Sequence, residues 1–234
     1  MKSGFIKLVI LLVLTGIQLV ADGKTQQREV SAFTEISLKI GANVYLKQGD
    51  KQIVEVKGDE GTLAKLITEV NNRTLVIKYP ADTWFSKWNP GRVDIYVTIP
   101  QIDGLTVSGS GSVVSEDKIE SRILNLILSG SGDIRIGDLK AEKVTATLSG
   151  SGNVHLSGQK SAGDFKVTVS GSGNVKAIDF SADNVDVKVS GSGNCWVSAV
   201  KNLVARVAGS GNIIYRGDPL VDSGIVGSGT VKKE

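Results

Sequence analysis

The tripeptide Gly-Ser-Gly occurs seven times in this chain, and its regular spacing constrains the fold more than any other feature. The copies begin at Gly109, Gly130, Gly150, Gly171, Gly191, Gly209 and Gly227, at intervals of 18–21 residues. These copies contain 14 of the 28 glycines in the 234-residue chain. An internal repeat of this length indicates an architecture built from stacked copies of one structural unit.

The residues around each triplet follow a fixed pattern of apolar and polar positions. An apolar residue stands two positions before every triplet, and another stands two positions after it. The alternation extends further back in several copies, as in Leu124, Leu126 and Leu128. A period of two is typical of a strand with one buried face. Each repeat therefore predicts a strand, a Gly-Ser-Gly corner, a second strand and a polar turn.

The repeat length favours stacked coils over hairpins. Twenty residues at ~3.3 Å each make a loop of roughly 65 Å, which is enough for one coil of a β-solenoid. A β-meander or a barrel of hairpins would also alternate, but the constant spacing and the repeated corner favour coils. We therefore predict an all-β chain folded as a right-handed parallel β-helix with coils of about 20 residues.

The triplet glycines are predicted to be structural, because a residue without a Cβ permits positive φ and close stacking of backbones. The predicted corner residues are Gly109, Gly111, Gly130, Gly132, Gly150, Gly152, Gly171, Gly173, Gly191, Gly193, Gly209, Gly211, Gly227 and Gly229. The serines inside and before the triplets are as repetitive as the glycines and are assigned the same structural role.

A short polar residue follows every triplet: Ser112, Asp133, Asn153, Asn174, Asn194, Asn212 or Thr230. Such side chains hydrogen-bond in turns, and stacked Asn side chains can form a ladder. Calcium-binding repeats also use Gly-rich Asp turns, but only Asp133 carries a charge in this column and the nonapeptide spacing of those repeats is missing. No metal site and no cofactor are predicted.

Residues 31–100 lack the triplet but keep the alternation of strands, so we expect them to pack onto the first coils and cap that end of the solenoid. Residues 48–51 and 71–73 are predicted turns, and residues 61–70 have the spacing of a short helix. The single predicted domain thus spans residues 31–231, with capping strands at 31–100 and repeats at 101–231.

The N-terminus predicts export. Residues 1–21 have a basic start, an apolar stretch and a tolerable cleavage site after Ala21, which is the pattern of a signal peptide. The apolar stretch is short for an uncleaved anchor. Residues 22–30 are a predicted linker, and no transmembrane segment is predicted in the mature chain. We expect the periplasm, the outer-membrane surface or the extracellular space.

The composition argues against nucleic-acid binding and against most enzyme chemistry. Removing the signal peptide lowers the net charge from +3 to +1, because Lys2 and Lys7 leave with it. The one histidine, His155, falls in an outward column and has no evident catalytic partner. The one cysteine, Cys195, falls in an inward apolar column and is predicted to be buried. The carboxylates of the repeats are scattered, so no catalytic residue is predicted.

One segment, YPADTWFSKWNPGR at residues 79–92, stands out by composition. It contains Trp84, Phe85 and Trp88 in a loop-like stretch rich in Pro, Asn and Gly. Aromatic side chains in loops bind sugars and partner proteins. The three residues are candidate ligand contacts, and the alternative is that the loop plugs the end of the solenoid.

Several segments together resemble a known bacterial family. The segment FTEISLKIGANVYLKQGD at residues 33–50, the segments VEVKGDE, TLVIKY and VDIYVTIP, and the serial SGSG copies are similar to the head GIN domain of putative auto-transporter adhesins. The resemblance covers about residues 31–231. It implies an exported β-helical domain and supplies no catalytic motif.

The predicted function is therefore an exported, non-enzymatic scaffold that presents a repetitive face to polysaccharide or to a surface protein. Outward positions such as Asn125, Thr145, Thr168 and Lys188 could form that face. The alternatives are a polysaccharide-acting β-helix enzyme and an envelope structural module without an external ligand. The sequence predicts neither the ligand nor the oligomeric state.

Overall fold

A computed structural model describes residues 23–81 and 88–234 of the chain. Strands make up 71% of it and helix 3%, and parallel coils of about 20 residues stack into a β-solenoid of about six turns. The predicted fold class is therefore confirmed. The described strands join into one 17-stranded sheet, in which successive coils of the repeat region pair in parallel.

The first part of the chain contains seven strands and the one helix of the described residues. They are β1 (Lys24–Gln27), β2 (Glu35–Leu38), β3 (Asn43–Gln48), β4 (Ile53–Gly58), α1 (Glu60–Lys65), β5 (Ile67–Asn71), β6 (Thr74–Lys78) and β7 (Val93–Ile99).

The repeat region contains ten further strands, several of which bend around the coil. They are β8 (Gly104–Gly109), β9 (Ser112–Gly130), β10 (Asp133–Gly150), β11 (Asn153–Ser157), β12 (Ala162–Gly171), β13 (Asn174–Gly191), β14 (Asn194–Gly209), β15 (Asn212–Arg216), β16 (Leu220–Gly227) and β17 (Thr230–Lys233).

The register of the coils matches the columns read from the sequence. The residues two positions before each triplet pair in the order Val107, Leu128, Leu148, Val169, Val189, Val207 and Ile225. The residues two positions after it pair in the order Val113, Ile134, Val154, Val175, Cys195, Ile213 and Val231. Except in the last coil, the members of both columns are buried in one continuous core.

The two glycines of a corner meet different requirements, as one coil illustrates. Gly150 has φ +127°, a conformation that side chains with a Cβ rarely adopt. Gly152 has an ordinary φ, but a Cβ there would lie 2.1 Å from the carbonyl oxygen of Gly132. The first glycine supplies the turn, and both glycines allow the coils to approach, since a Cβ on Gly150 would also lie 2.3 Å from the carbonyl oxygen of Gly130.

Residues 31–100 contribute coils of their own as well as the end of the stack. β2 pairs in parallel with β6 and β8, and β3 pairs in parallel with β7 and β9. The outer strands β1, β4 and β5 pair antiparallel to their neighbours. The segment predicted as a linker at residues 22–30 thus contains a strand, β1, paired with β4.

The predicted helix at residues 61–70 is shorter than expected. α1 starts after Asp59, whose carboxylate accepts the backbone N–H of Thr62 at 2.8 Å, and it ends at Lys65. Ile67 and Val70 instead lie in β5, which forms a hairpin with β6. Asn72 and Arg73 make its tight turn with positive φ.

The opposite end of the stack is an open edge. Among the described strands, β16 pairs only with β14 and β17 only with β15, so apolar residues of this last coil are exposed. Leu220 is 79% exposed and Val226 is 77% exposed. No helix among the described residues is long and apolar enough to cross a membrane.

Candidate binding surface

An asparagine ladder runs along the solenoid immediately after the corners. Each side chain donates through its amide nitrogen to the side-chain oxygen of the previous coil: Asn153 to Asp133 at 2.9 Å, Asn174 to Asn153 at 3.1 Å, Asn194 to Asn174 at 3.1 Å and Asn212 to Asn194 at 2.8 Å. Thr230 closes the series by donating its hydroxyl to Asn212 at 2.7 Å. The predicted ladder is confirmed, and its bonds hold the neighbouring strand positions in register.

A second, shorter ladder lies before the corners and was missed by the sequence analysis. Asn184 donates to the carboxylate of Asp164 at 3.2 Å, and Asn202 donates to Asn184 at 2.8 Å. The recurrence of Asp or Asn at this repeat position was the available signal.

Two positions beyond the first ladder, outward side chains form a column that we call the lateral column. In coil order it consists of Tyr96, Tyr45, Val114, Arg135, His155, Lys176, Trp196, Ile214 and Lys232, each in register with the next. Ile214 is the buried member, at 9% exposure. Adjacent strands in such a stack are about 4.8 Å apart, so the column presents a side chain at every coil. Aromatic groups flank three basic side chains, Arg135, His155 and Lys176, and a fourth basic residue, Lys232, ends the column.

The tyrosines form the aromatic start of the column. The rings of Tyr45 and Tyr96 stack with their centroids 5.1 Å apart and an interplanar angle of 18°. They are 37% and 43% exposed. Beside them, Asn43 donates to Asp94 at 3.0 Å, as Asn153 does to Asp133 in the first ladder. A surface depression of about 290 Å³ opens here, lined by both rings, Lys47, Thr98 and Val114.

The basic part of the column adjoins a second depression, of about 360 Å³, lined by Arg135, His155 and Lys176 together with the carboxylates Glu116 and Asp179. Glu116 also lines the first depression, so the two depressions lie on either side of this residue. Partial burial lowers the pKa of His155, and the positive charges of Arg135 and Lys176 lower it further, against a smaller opposing effect of Asp133. The imidazole is therefore held toward its neutral form.

The four positions suggested as an outward face belong to two columns. Asn125 and Thr145 align with Lys166 and Asp186. Thr168 and Lys188 lie in the neighbouring column. Both columns precede the corner, whereas the lateral column follows it.

Of the aromatic segment, Trp88 lies within the described residues, and Trp84 and Phe85 lie outside them. The Trp88 ring meets Tyr79 edge-on at a centroid distance of 4.9 Å. The ammonium of Lys65, at the end of α1, lies 4.6 Å from the centre of the same ring. Trp88 is half-buried, and these contacts connect it to α1 and to Tyr79, the residue that follows β6.

The remaining reactive groups are placed as follows. Cys195 is fully buried in the inward column, as predicted, and burial raises its pKa far above the usual range of a thiol. Asp133 accepts from Asn153 in the ladder. Among the residues that the structure describes, no three or more His, Cys, Asp or Glu side chains are grouped so that they could hold a metal ion.

A further depression, of about 500 Å³, lies at the polar turns and includes Glu120, Lys140 and Glu142. Glu120 binds the ammonium groups of Lys118 and Lys140, the latter at 2.9 Å, and these contacts lower its pKa to about 2. A general acid needs a pKa near the working pH. Glu120 is therefore ionised and ill-suited to donate a proton to a glycosidic oxygen.

The sequence analysis placed His155 in an outward column but did not extend that column to the tyrosines. Residues 31–100 lack the triplet by which the other copies were aligned. A polar–apolar–X–apolar motif could have extended it, since it recurs at residues 43–46, 94–97 and 153–156. The third position of these motifs is Tyr45, Tyr96 and His155.

Comparison with known proteins agrees with this geometry. The family profile described as putative auto-transporter adhesin, head GIN domain, matches residues 32–219. The chain belongs to this family. The resemblance noted in the sequence is thereby confirmed. No functionally curated protein matches the chain.

Solved structures share the GIN-domain fold over nearly the full length of each chain. A putative adhesin from Bacteroides fragilis is 25% identical with a TM-score of 0.81, covering 90% of this chain and 96% of its own. A putative lipid binding protein from Parabacteroides distasonis is 27% identical with a TM-score of 0.71, covering 92% and 98%. A putative adhesin from Parabacteroides merdae is 19% identical with a TM-score of 0.71, covering 92% and 97%, and shows the common fold.

Proposed function

We propose that this GIN-domain protein is an exported, non-enzymatic adhesin-like module that binds polysaccharide along its lateral column. The observation that supports this most is the exposed, stacked pair Tyr45 and Tyr96 in register with Trp196 on the same face. Aromatic rings combine a large apolar surface with a polar group and suit the apolar patches and hydroxyl groups of sugars.

The rigidity of the face supports an extended ligand. The backbone under the lateral column is hydrogen-bonded to the coil on either side. The asparagine side chains of the neighbouring ladder are also hydrogen-bonded from coil to coil. A rigid surface binds with less loss of conformational entropy than a flexible loop. A polysaccharide lying along the solenoid axis would meet a side chain from each successive coil.

A binding module fits the site better than the enzyme alternative does. Glu120, which lines the depression of about 500 Å³, is ionised and therefore ill-suited to acid catalysis. Neither the family description nor those of the similar structures refers to an enzyme. The signal peptide predicted at residues 1–21 lies outside the described residues, and export therefore belongs to the proposal.

The test is a glycan array probed with the purified protein and with a Tyr45→Ala/Tyr96→Ala double variant. The matched control is Ile127→Ala/Thr147→Ala, which removes side chains in register on the face before the corner. We expect the wild type and the control to bind a set of glycans that the tyrosine variant loses. An array on which the wild type binds nothing would contradict the proposal and favour an envelope structural module.

Export is tested separately by the mass of the protein recovered from fractionated cells. The proposal expects a chain that begins at Asp22, outside the cytoplasm. An intact Met1 in a cytoplasmic protein would contradict it.

A further inference from the structure

Two cations at the centre of the lateral column, Arg135 and Lys176, lie close together without a carboxylate partner among the described residues. Some other cations of the solenoid meet a carboxylate of a neighbouring coil, as Lys201 does with Asp183 at 2.7 Å and Arg216 with Glu234 at 2.7 Å. Arg135 and Lys176 form no ion pair with any residue in 23–81 or 88–234. Each is exposed.

The stacking places these charges close together. Arg135 is in register with His155, and His155 is in register with Lys176, so the two permanent cations are two coils apart. That separation corresponds to about 9.6 Å between strands. Like charges on neighbouring strands destabilise a sheet. A carboxylate at position 155 would offset these two charges, but the residue between them is the partly buried His155.

None of the described carboxylates forms an ion pair with Arg135 or Lys176, although Glu116 lines the same depression and the nearby Asp133 acts on His155. Of the two carboxylates in the depression, Asp179 is paired with Arg216 at 3.2 Å. Glu116 is the other, and it lies at the border with the tyrosine depression. Burial is the largest cause of the lowered pKa of His155, and the charges of Arg135 and Lys176 lower it further.

We infer that Arg135 and Lys176 form an anion subsite, and that the ligand of the lateral column is an acidic polysaccharide with a carboxylate or sulfate group on its sugar units. The inference rests on the proposed function and deepens it by naming the class of glycan. The cations bind the acidic groups, and the flanking Tyr45 and Trp196 contact the sugar rings. Because the site is exposed, its affinity falls with ionic strength.

The experiment compares two polymers with the same backbone, polygalacturonate and its fully methyl-esterified form, by titration calorimetry. The variants are Arg135→Gln/Lys176→Gln and the matched control Lys166→Gln/Lys188→Gln, which removes the same charge from two exposed positions before the corner. A third variant, Arg135→Lys/Lys176→Arg, keeps the charge. Unchanged circular dichroism and urea midpoints verify that each variant is folded.

We expect the wild type to bind the acidic polymer more tightly than its methyl-esterified form. In Arg135→Gln/Lys176→Gln, the affinity for the acidic polymer should fall by about tenfold or more, which corresponds to about 1.4 kcal/mol. The control and the charge-keeping variant should stay within about twofold of the wild type. Equal binding of both polymers, or equal losses in both Gln variants, would overturn the inference while leaving glycan binding intact.

Two other outcomes concern the source of the anion and the proposed function. Binding to vesicles of anionic phospholipid that is stronger than binding to polygalacturonate, and lost in Arg135→Gln/Lys176→Gln, would overturn the inference in favour of lipid headgroups. Absence of binding to every glycan on the array would contradict the proposed function itself.

Discussion

The carbonyl oxygen of Gly130 accepts the backbone N–H groups of Ser151 and Gly152, at 2.9 and 3.1 Å, and leaves no room for a side chain on Gly150 above it. A Cβ at position 150 would lie 2.3 Å from that oxygen. Gly109 has a similar φ of +119°, but nothing lies within 4 Å of the place where its Cβ would be. The two positions separate the cost of backbone strain from the cost of stacking.

Gly109→Ala should cost about 1–3 kcal/mol from backbone strain alone. Gly150→Ala should cost at least about 2 kcal/mol more, because the coils must separate and weaken two hydrogen bonds of about 1 kcal/mol each. Urea unfolding followed by circular dichroism measures both. Equal losses of stability would show that close stacking is not what requires glycine at the corner.

The asparagine ladder should contribute most in the middle of the stack. Asn174→Ala removes a bond to Asn153 and leaves the amide of Asn194 without its acceptor, so we expect a loss of about 1–3 kcal/mol. Thr230→Val, at the exposed end of the same ladder, should cost about 1 kcal/mol or less. The comparison uses urea midpoints, and a larger effect at Thr230 would contradict the ladder's role.

The pKa of His155 should lie below the ordinary value for histidine. Burial lowers this pKa most, and the charges of Arg135 and Lys176 lower it further. Arg135→Gln should therefore raise the pKa part of the way toward the ordinary histidine value. Because the folded state holds the proton less tightly than the unfolded state, this group lowers stability as the pH falls from the ordinary histidine pKa through the folded value. The imidazole proton signals in an NMR titration measure the pKa, and a value above the ordinary one would contradict the account.

The contacts of Trp88 predict a contribution to stability. Trp88→Ala removes the edge-on contact with Tyr79 and the approach of Lys65, which together are worth about 1–2 kcal/mol. We expect a lower melting temperature and unchanged glycan affinity. Lost affinity with an unchanged melting temperature would instead support the prediction that Trp84, Phe85 and Trp88 contact the ligand.

Much of this fold is readable from the repeat because each coil imposes the same constraints. The triplet fixes the corner, and the apolar residues on either side of it then fall into register, which placed Cys195 inside and His155 outside. The apolar pattern gave a wrong secondary structure in the part of the chain that lacks the Gly-Ser-Gly triplet. Ile67 and Val70 are compatible with a helix or a strand, and pairing with β6 decided for the strand.

The binding surface is less predictable than the fold because it depends on which columns are neighbours in space. Tyr45 and Tyr96 are 51 residues apart in the sequence and become stacked through the pairing of β3 with β7. The exposure of Leu220 and Val226 in β16 is likewise not visible in the sequence, because both residues lie in a repeat that pairs with the previous coil as the others do. Only the assembled coils show which apolar residues lack cover.

The most direct test of the account is a backbone amide NMR titration of the protein with an oligosaccharide of polygalacturonate. The account predicts shifts that follow the lateral column across the coils, from Tyr45 through His155 to the amide and indole signals of Trp196. Shifts confined to the Trp88 loop or to the edge strand β16, with the lateral column unchanged, would contradict it.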